Sequence, residues 1–408
     1  MGEKMKKFLY VFLISCFSLT NISCSSSGSG NSKSFTLLSC NSSTGNSGNG
    51  TQKAYIVGNA ESEKCSGTDC PVSKVVIWDL DGCMIDVGES VMGAVDAASH
   101  NNSIYIADDG GFYWIVGADN KIEKHQLNYP SGYKNSEVTG ISVNSIGDVY
   151  VAGMVVKNKK ELTAYWKNGE LVKTFSEDAD WYSERHVAAD SNGNVYIPGW
   201  RMKSHSVISS TYWVNGTRKY LTSSYDGEAT DAVIGTENDS GANVWVSGSH
   251  GNSSNLGGVL AAYWRKKING QINQTKVTKV NTYNSPKGWV VFSRADSIYV
   301  DCCAVYMAGV VNVINAGEVP VYWKNQTQHE LPVEFDLNTC DYCKAEPNDI
   351  SLLDGKVLVV GNYYDANDKV DSSFTHGEKK AVYWLDQKLH ILCESCGSSY
   401  AVAVVVME

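Results

Sequence analysis

The chain has 408 residues, of which 43% are hydrophobic and 19% are charged, and its formal net charge is −10. This composition is typical of a soluble globular protein, and the acidic balance argues against nucleic acid as a partner, because nucleic-acid binding depends on basic surface. The 37 glycines, 23 tyrosines and 11 tryptophans, with only seven prolines, favour strands joined by tight turns.

The first 23 residues have the features of an export signal. Lys4, Lys6 and Lys7 precede an apolar run over residues 8–19 that is too short to span a membrane. The following Asn-Ile-Ser-Cys segment resembles the lipidation box of bacterial lipoproteins, although Asn21 stands where leucine is usual. The segment ending at Cys16 fits the box better, but cleavage there would leave a short apolar run.

We therefore predict three regions: a signal peptide at 1–23, a flexible tether at 24–52 lipidated at Cys24, and a folded domain at 53–408. The expected location is the bacterial cell envelope, either the outer membrane or the cell surface. Membrane contact would then occur only through the lipid anchor, and plain secretion is the alternative.

Cysteine usage agrees with export. Of the twelve cysteines, Cys16 lies in the signal and Cys24 would carry the lipid, which leaves an even ten and favours disulfides. Two CxxC pairs, Cys340/Cys343 and Cys393/Cys396, also have the spacing of half a zinc site each, so disulfides and zinc both stay open there. A redox role is disfavoured, since neither pair follows a strand and opens a helix.

Two short elements alternate along the chain, seven copies of each. The first element ends in glycine or alanine, and its copies are Ala54 to Gly58, Ser103 to Ala107, Asp148 to Gly153, Asn194 to Gly199, Asn243 to Gly248, Ala304 to Gly309 and Lys356 to Gly361. The second element contains tryptophan, and its copies are centred on Trp78, Trp114, Trp166, Trp213, Trp264, Trp323 and Trp384. A period of roughly 45 to 60 residues indicates a solenoid, a propeller or an array.

Each repeat is predicted to form four strands, with Asn-Gly or Asp-Gly hairpin turns at Asn168/Gly169, Asn215/Gly216 and Asp81/Gly82. The order GISVNSIGDVYVAG, at 140–153, followed by AYWKNGELV, at 164–172, resembles NHL and SBBP propeller repeats and the YWKNG-repeat lipoproteins of bacteria. The resemblance covers 54–408. It implies an all-β, seven-bladed β-propeller but no particular activity.

The two ends of the repeat region are predicted to complete one blade. A lone strand at 54–58 and a lone strand at 400–406 would pair as a clasp, which hides both edges. The remaining blades are predicted at 91–127, 138–175, 185–222, 229–280, 297–331 and 349–392. A single domain and a monomer are expected.

The tryptophans of the second element are predicted to be packing residues, because they recur with the blade period. One polar position also recurs before the first, innermost strand of several blades, as Glu89, Glu137, Glu184, Glu228 and Glu346, with Arg294 and Ser398 in the remaining two. These glutamates are predicted to surround one mouth of the central channel. They would either hold a cation or accept hydrogen bonds from neighbouring blades. Apart from the two CxxC pairs, no pattern for catalysis, a metal or a cofactor is present, and none is expected.

The links between second and third strands and between blades are long, and they would lie together on one face. We call this the long-loop face and expect binding there. The candidates are aromatic and charged side chains: Trp181, Tyr182, Arg185, His186, Trp200, Arg201, Tyr225, Trp289, Tyr342, Tyr363 and Tyr364.

Three functions remain open. The favoured one is a non-enzymatic envelope lipoprotein that binds a protein or glycan on the long-loop face. The second is a glycan hydrolase or lyase that uses funnel acids chosen from Asp178, Asp180, Glu184, Asp226 and Glu228. The third is a structural envelope protein.

Overall fold

The computed structural model describes residues 52–61, 73–175, 186–204, 207–221, 227–236, 242–251, 259–267, 276–279, 290–301, 304–313, 317–333, 344–364, 379–393 and 398–407. Within these ranges the chain forms 28 strands and no helix. The strands make seven antiparallel four-stranded sheets, which are the blades of a ring. The predicted all-β, seven-bladed propeller is confirmed.

The strands follow the repeat in chain order. They are β1 Lys53–Glu61, β2 Ser73–Asp79, β3 Met84–Ser90; β4 Ala94–His100, β5 Ser103–Asp108, β6 Phe112–Val116, β7 Ile122–Gln126; β8 Tyr133–Val143, β9 Val149–Lys157, β10 Lys160–Lys167, β11 Glu170–Phe175; β12 Ala188–Ala189, β13 Val195–Ser204, β14 Val207–Val214, β15 Thr217–Tyr220; β16 Ala229–Thr236, β17 Ala242–His250, β18 Leu260–Lys267, β19 Lys276–Lys279; β20 Val290–Asp301, β21 Ala304–Val313, β22 Gly317–Lys324, β23 Thr327–Glu330; β24 Lys344–Leu353, β25 Lys356–Tyr364, β26 Lys379–Leu385, β27 Lys388–Ile391; and β28 Ser399–Met407.

Blades 2 to 7 each use four consecutive strands, starting from β4, β8, β12, β16, β20 and β24 at the channel. Blade 1 joins the two ends of the described chain. Its innermost strand, β28, pairs antiparallel with β1, and Ile56 lies opposite Val404. Strands β2 and β3 complete that sheet on the outside.

The repeat tryptophans build the core between blades, as predicted. All seven are buried, and five of them expose 1% or less of their surface. Trp166, for example, lies in a cluster with side chains of blade 2 such as Tyr113 and Leu127. Large aromatic side chains of this kind carry much of the apolar burial, so the second repeated element is a packing element.

The predicted Asn-Gly turns are also confirmed. Asn168 and Gly169 have φ values of 50° and 86°, and Asn215 and Gly216 have 50° and 75°. Positive φ at both central residues is what a two-residue type I′ hairpin requires. The Asn168 side chain also accepts a 2.8 Å hydrogen bond from the Val149 N–H, which ties the turn to the second strand of the blade.

The recurring glycine of the first element has a packing reason. A Cβ added at Gly153 would overlap the carbonyl oxygen of Glu137, and one at Gly361 would overlap that of Glu346. In both blades the innermost strand has a β-bulge opposite this glycine. The close approach fixes the position of the residues that enter the channel.

Candidate functional site at the central channel

One end of the channel lies where the first strands begin and the second strands end, which is the long-loop side. Four residues of innermost strands occupy the same register position there, because each pairs with the residue that follows the recurring glycine of the second strand. They are Glu137, Arg294, Glu346 and Tyr400. Glu228 directly precedes β16 and reaches the same level.

The prediction for Glu89 needs correction. Glu89 lies in β3, the outermost strand of blade 1, and is exposed. It therefore does not directly precede the innermost strand of blade 2, which begins at Ala94. At the equivalent position of blade 2 stands Gly93, and in blade 1 stands Tyr400 rather than Ser398. Glu184 lies outside the described residues.

Glu346 is paired with cations of its own blade. Its carboxylate lies 2.7 Å from Lys344 Nζ and 3.7 Å from Lys379 Nζ, and it accepts a 3.1 Å hydrogen bond from the Tyr364 hydroxyl. Burial raises the pKa of Glu346, but the two lysines outweigh that effect and leave the pKa below its usual value. Two lysines and a tyrosine of the same blade therefore satisfy this acid.

In blade 6, the register position that Glu346 occupies in blade 7 holds a cation, Arg294. Arg294 donates to Asp296 over 2.5 Å, and this acid holds the pKa of Arg294 above its usual value. Burial raises the pKa of the nearby Glu228, while Arg294 opposes the shift. The channel mouth thus carries charges of both signs in fixed positions.

A cavity of about 290 Å³ opens at this mouth. We call it the mouth cavity. Its polar side chains are Asn59, Glu137, Thr139, His186, Glu346, Asn348, Asn362, Lys379 and Tyr400. The Lys379 ammonium lies 4.4 Å from the centroid of the Tyr400 ring and 4.9 Å from that of Tyr364, so the cation and the aromatic rings form one surface.

A second cavity of about 350 Å³ occupies the other half of the channel. We call it the rear cavity. Most of its wall comes from small or apolar residues of the innermost strands, such as Ala97, Val143 and Ile234. His186 lines both cavities, which places its side chain between them.

Around His186, each blade contributes one residue at the same level of the channel. In the blades with a described bulge, this residue follows the bulge in the innermost strand. We call this set the channel ring, and in blade order it is Ala403, Asp96, Gly140, His186, Asp231, Ser297 and Asp349.

The three ring aspartates tie blades together. Each Oδ2 accepts a 2.8 Å hydrogen bond from a backbone N–H of the next blade, donated by Ile141 to Asp96, by Ile298 to Asp231 and by Val404 to Asp349. The Ser297 hydroxyl also donates to Asp349 Oδ1 over 2.7 Å. Neighbouring-blade donors therefore do meet recurring acids at the channel ring.

His186 is the cation of the ring. Its Nδ1 lies 3.2 Å from Asp96 Oδ1 and 3.8 Å from Asp231 Oδ1. Burial lowers the pKa of His186, but Asp231, Asp96 and Asp349 together raise it to about 10. Burial raises the pKa of Asp349 to about 6. At neutral pH the ring thus contains an imidazolium among carboxylates.

The other predicted binding residues do not form one patch in the described structure. Trp200 and Arg201 are half-buried at the end of β13, and Arg201 donates a 2.7 Å hydrogen bond to the Tyr220 hydroxyl in the same blade. Tyr363 is a buried core residue, whereas Tyr364 lies beside the mouth cavity. Trp181, Tyr182, Arg185, Tyr225, Trp289, Tyr342 and Cys24 lie outside the described residues.

Sequence reasoning missed the ring aspartates. A signal was present, because each stands three residues after the mouth position, in GAVD, EATD and EPND. In the part of the chain that the structure describes, no three His, Cys, Asp or Glu side chains are arranged to hold a metal ion. Nor does any helix in that part have the length and apolar character needed to cross a membrane.

Comparison with known proteins assigns no family to this chain. No family model matches this chain, and no curated protein matches it. Among solved structures, the chain is similar to a streptogramin B lyase, with 12% identity, a TM-score of 0.38, and coverage of 75% of this chain and 94% of the lyase. The β-propeller domain of the Trilobed protease from Pyrococcus furiosus gives 10% identity and a TM-score of 0.45, covering 85% of this chain and 95% of that domain. AztD from Citrobacter koseri gives 11% identity and a TM-score of 0.37, covering 87% of this chain and 98% of AztD. The seven four-stranded sheets themselves define the chain as a seven-bladed β-propeller.

Proposed function

We propose that this chain is a non-enzymatic binding protein of the bacterial cell envelope, and that the mouth cavity is where it holds its ligand. The observation that carries the proposal is the lining of that cavity. Amides, carboxylates, an ammonium group and a tyrosine ring converge on about 290 Å³ at the long-loop end of the channel. Ligand sites are concave regions of this kind, with a few fixed polar groups that give specificity.

A glycan suits this lining best. Sugar hydroxyls both donate and accept hydrogen bonds, so they can use the Glu346 carboxylate and the Lys379 ammonium at the same time. The Tyr400 and Tyr364 rings next to Lys379 offer the aromatic surface on which a sugar ring can pack. The cavity volume suits one terminal sugar unit, with the rest of the chain running over the long-loop face. A protein partner would instead cover that face more broadly.

The proposed location rests on the N-terminal sequence and on the cysteines. Lipidation at Cys24 would anchor the propeller through the tether at 24–52. Cys83 and Cys393, the two described cysteines, are disulfide-bonded, which supports an oxidising compartment. Mass spectrometry of the membrane fraction tests the anchor, since Cys24→Ala should lose the lipid adduct and release the protein.

The binding role is tested with a glycan array and the mature protein. We expect selective retention of one glycan class, weakened by Tyr364→Phe, because this change removes the hydroxyl that holds Glu346 in place. The matched control is Tyr383→Phe in the same blade, whose hydroxyl donates to Leu80 O at 2.8 Å and not at the mouth cavity.

Two results would count against this proposal. Binding that is equally strong in both tyrosine variants would remove the mouth cavity as the site. An array without any retained glycan, combined with a pull-down that captures an envelope protein, would replace the glycan by a protein partner.

A further inference from the structure

The channel ring brings three carboxylates together, and hydrogen bonds from backbone N–H groups do not neutralise their charge. Asp96, Asp231 and Asp349 come from blades 2, 5 and 7, and Asp96 and Asp231 expose only 2% and 3% of their surfaces. Burying carboxylates without a compensating cation is costly. In the described structure, the cation that faces them is the imidazolium of His186.

The backbone is arranged to bring that imidazolium into the ring. His186 has a φ of 74°, in the left-handed region that non-glycine residues rarely adopt. Such a conformation persists only where its surroundings hold it. The neighbouring ring position is Gly140, and a Cβ there would lie 2.6 Å from the Cα of His186. The absence of a side chain at Gly140 therefore leaves room for the backbone of His186.

His186 stands between the mouth cavity and the rear cavity and lines both. One ring nitrogen of His186 thus has two carboxylates within 4 Å, at 3.2 Å and 3.8 Å. A site of this kind can attract other flat, singly charged cations, because their N–H donors make charge-assisted contacts with carboxylates.

We infer that the channel ring is a binding site for a planar organic monocation, and that the chain fills this site with its own imidazolium, His186, which closes the central channel. The mouth cavity is then a blind pocket that a ligand enters and leaves from the long-loop side. This inference does not depend on which ligand the mouth cavity takes.

The direct test is to empty the site and refill it. His186→Ala should melt at a lower temperature than the wild type at a pH near 6, where free imidazole is largely protonated. Imidazolium chloride should then raise the melting temperature of His186→Ala in a saturable way. Sodium chloride at the same ionic strength should not, and neither salt should produce a saturable rise in the wild type.

Two further variants make the test specific. His100→Ala, which removes a half-buried histidine at the hairpin side of blade 2, should show no saturable response to imidazolium. The double variant His186→Ala with Asp231→Asn should respond more weakly than His186→Ala alone, because one of the two contacting carboxylates is neutral. Equal responses in His186→Ala and His100→Ala would overturn the inference.

A measurement on the wild type covers the case in which His186→Ala fails to fold. With isotopically labelled histidine, the ring resonances of His186 should keep imidazolium shifts from about pH 6 to about pH 8, a range in which a short histidine peptide titrates. A His186 signal that titrates together with the peptide would overturn the inference.

Discussion

Replacing Trp166 by alanine tests whether the repeated tryptophans hold adjacent blades together. The Trp166 side chain is fully buried, and its ring packs against the edge of Tyr129 with centroids 5.6 Å apart. Its Nε1 donates a 3.1 Å hydrogen bond to the carbonyl oxygen of Asn128, in the link between blades 2 and 3. Trp166→Ala would therefore leave a cavity and an unpaired carbonyl.

We expect a loss of about 3 to 5 kcal/mol in the free energy of unfolding, the range for large aromatic side chains removed from a core. Trp166→Phe should lose less, because it keeps a ring and gives up chiefly the hydrogen bond, worth about 1 kcal/mol. Urea unfolding followed by far-ultraviolet circular dichroism measures both. A loss below about 1 kcal/mol for Trp166→Ala, with an unchanged m-value, would refute the packing role.

Three other predictions concern pH and backbone packing. The pKa of His186 is raised from 6.5 to about 10 in the folded state, so the stability difference between wild type and His186→Ala should be fully present below about pH 6.5 and should shrink progressively as the pH rises from there to about 10; a difference that grows with pH in unfolding experiments would contradict the ring contacts. His390 stacks on Tyr383 with centroids 4.5 Å apart, and burial, assisted by Lys388, lowers its pKa. Wild-type stability should therefore fall as the pH drops below about 6.5, and His390→Gln should reduce that fall; an identical acid profile would exclude this contribution. Gly361→Ala should lose about 1 to 3 kcal/mol, because its Cβ would overlap the Glu346 carbonyl; calorimetry that finds no loss would show that the bulge can move.

Most of the fold was predictable because every blade repeats the same physical requirements. A tryptophan such as Trp166 recurs because each interface between blades needs a large apolar side chain. Turn pairs such as Asn168 and Gly169 recur because each hairpin needs positive φ. Each requirement therefore places the same residue type at a fixed spacing in the sequence, and seven copies make that pattern easy to recognise.

The site was harder to predict because it depends on what differs between blades. The ring aspartates occur in only three blades, and Asp96 and Asp231 meet His186 only after the ring closes. Their level in the channel is set by β-bulges, which shift the register without a strong sequence signal. Glu89 was misplaced because it ends an outer strand only a few residues before the next inner strand begins, so its place in the sequence does not show which strand holds it.

The proposed role of the mouth cavity is tested most directly by the affinity of the tightest array glycan for two lysine variants of blade 7. Lys379 lines the mouth cavity, whereas Lys388 is exposed at the start of β27, on the opposite face. Isothermal titration should show that Lys379→Ala weakens binding about tenfold or more, as expected for the loss of a charge-assisted contact, while Lys388→Ala binds like the wild type. Equal affinities for Lys379→Ala and the wild type would contradict a ligand site at the mouth cavity.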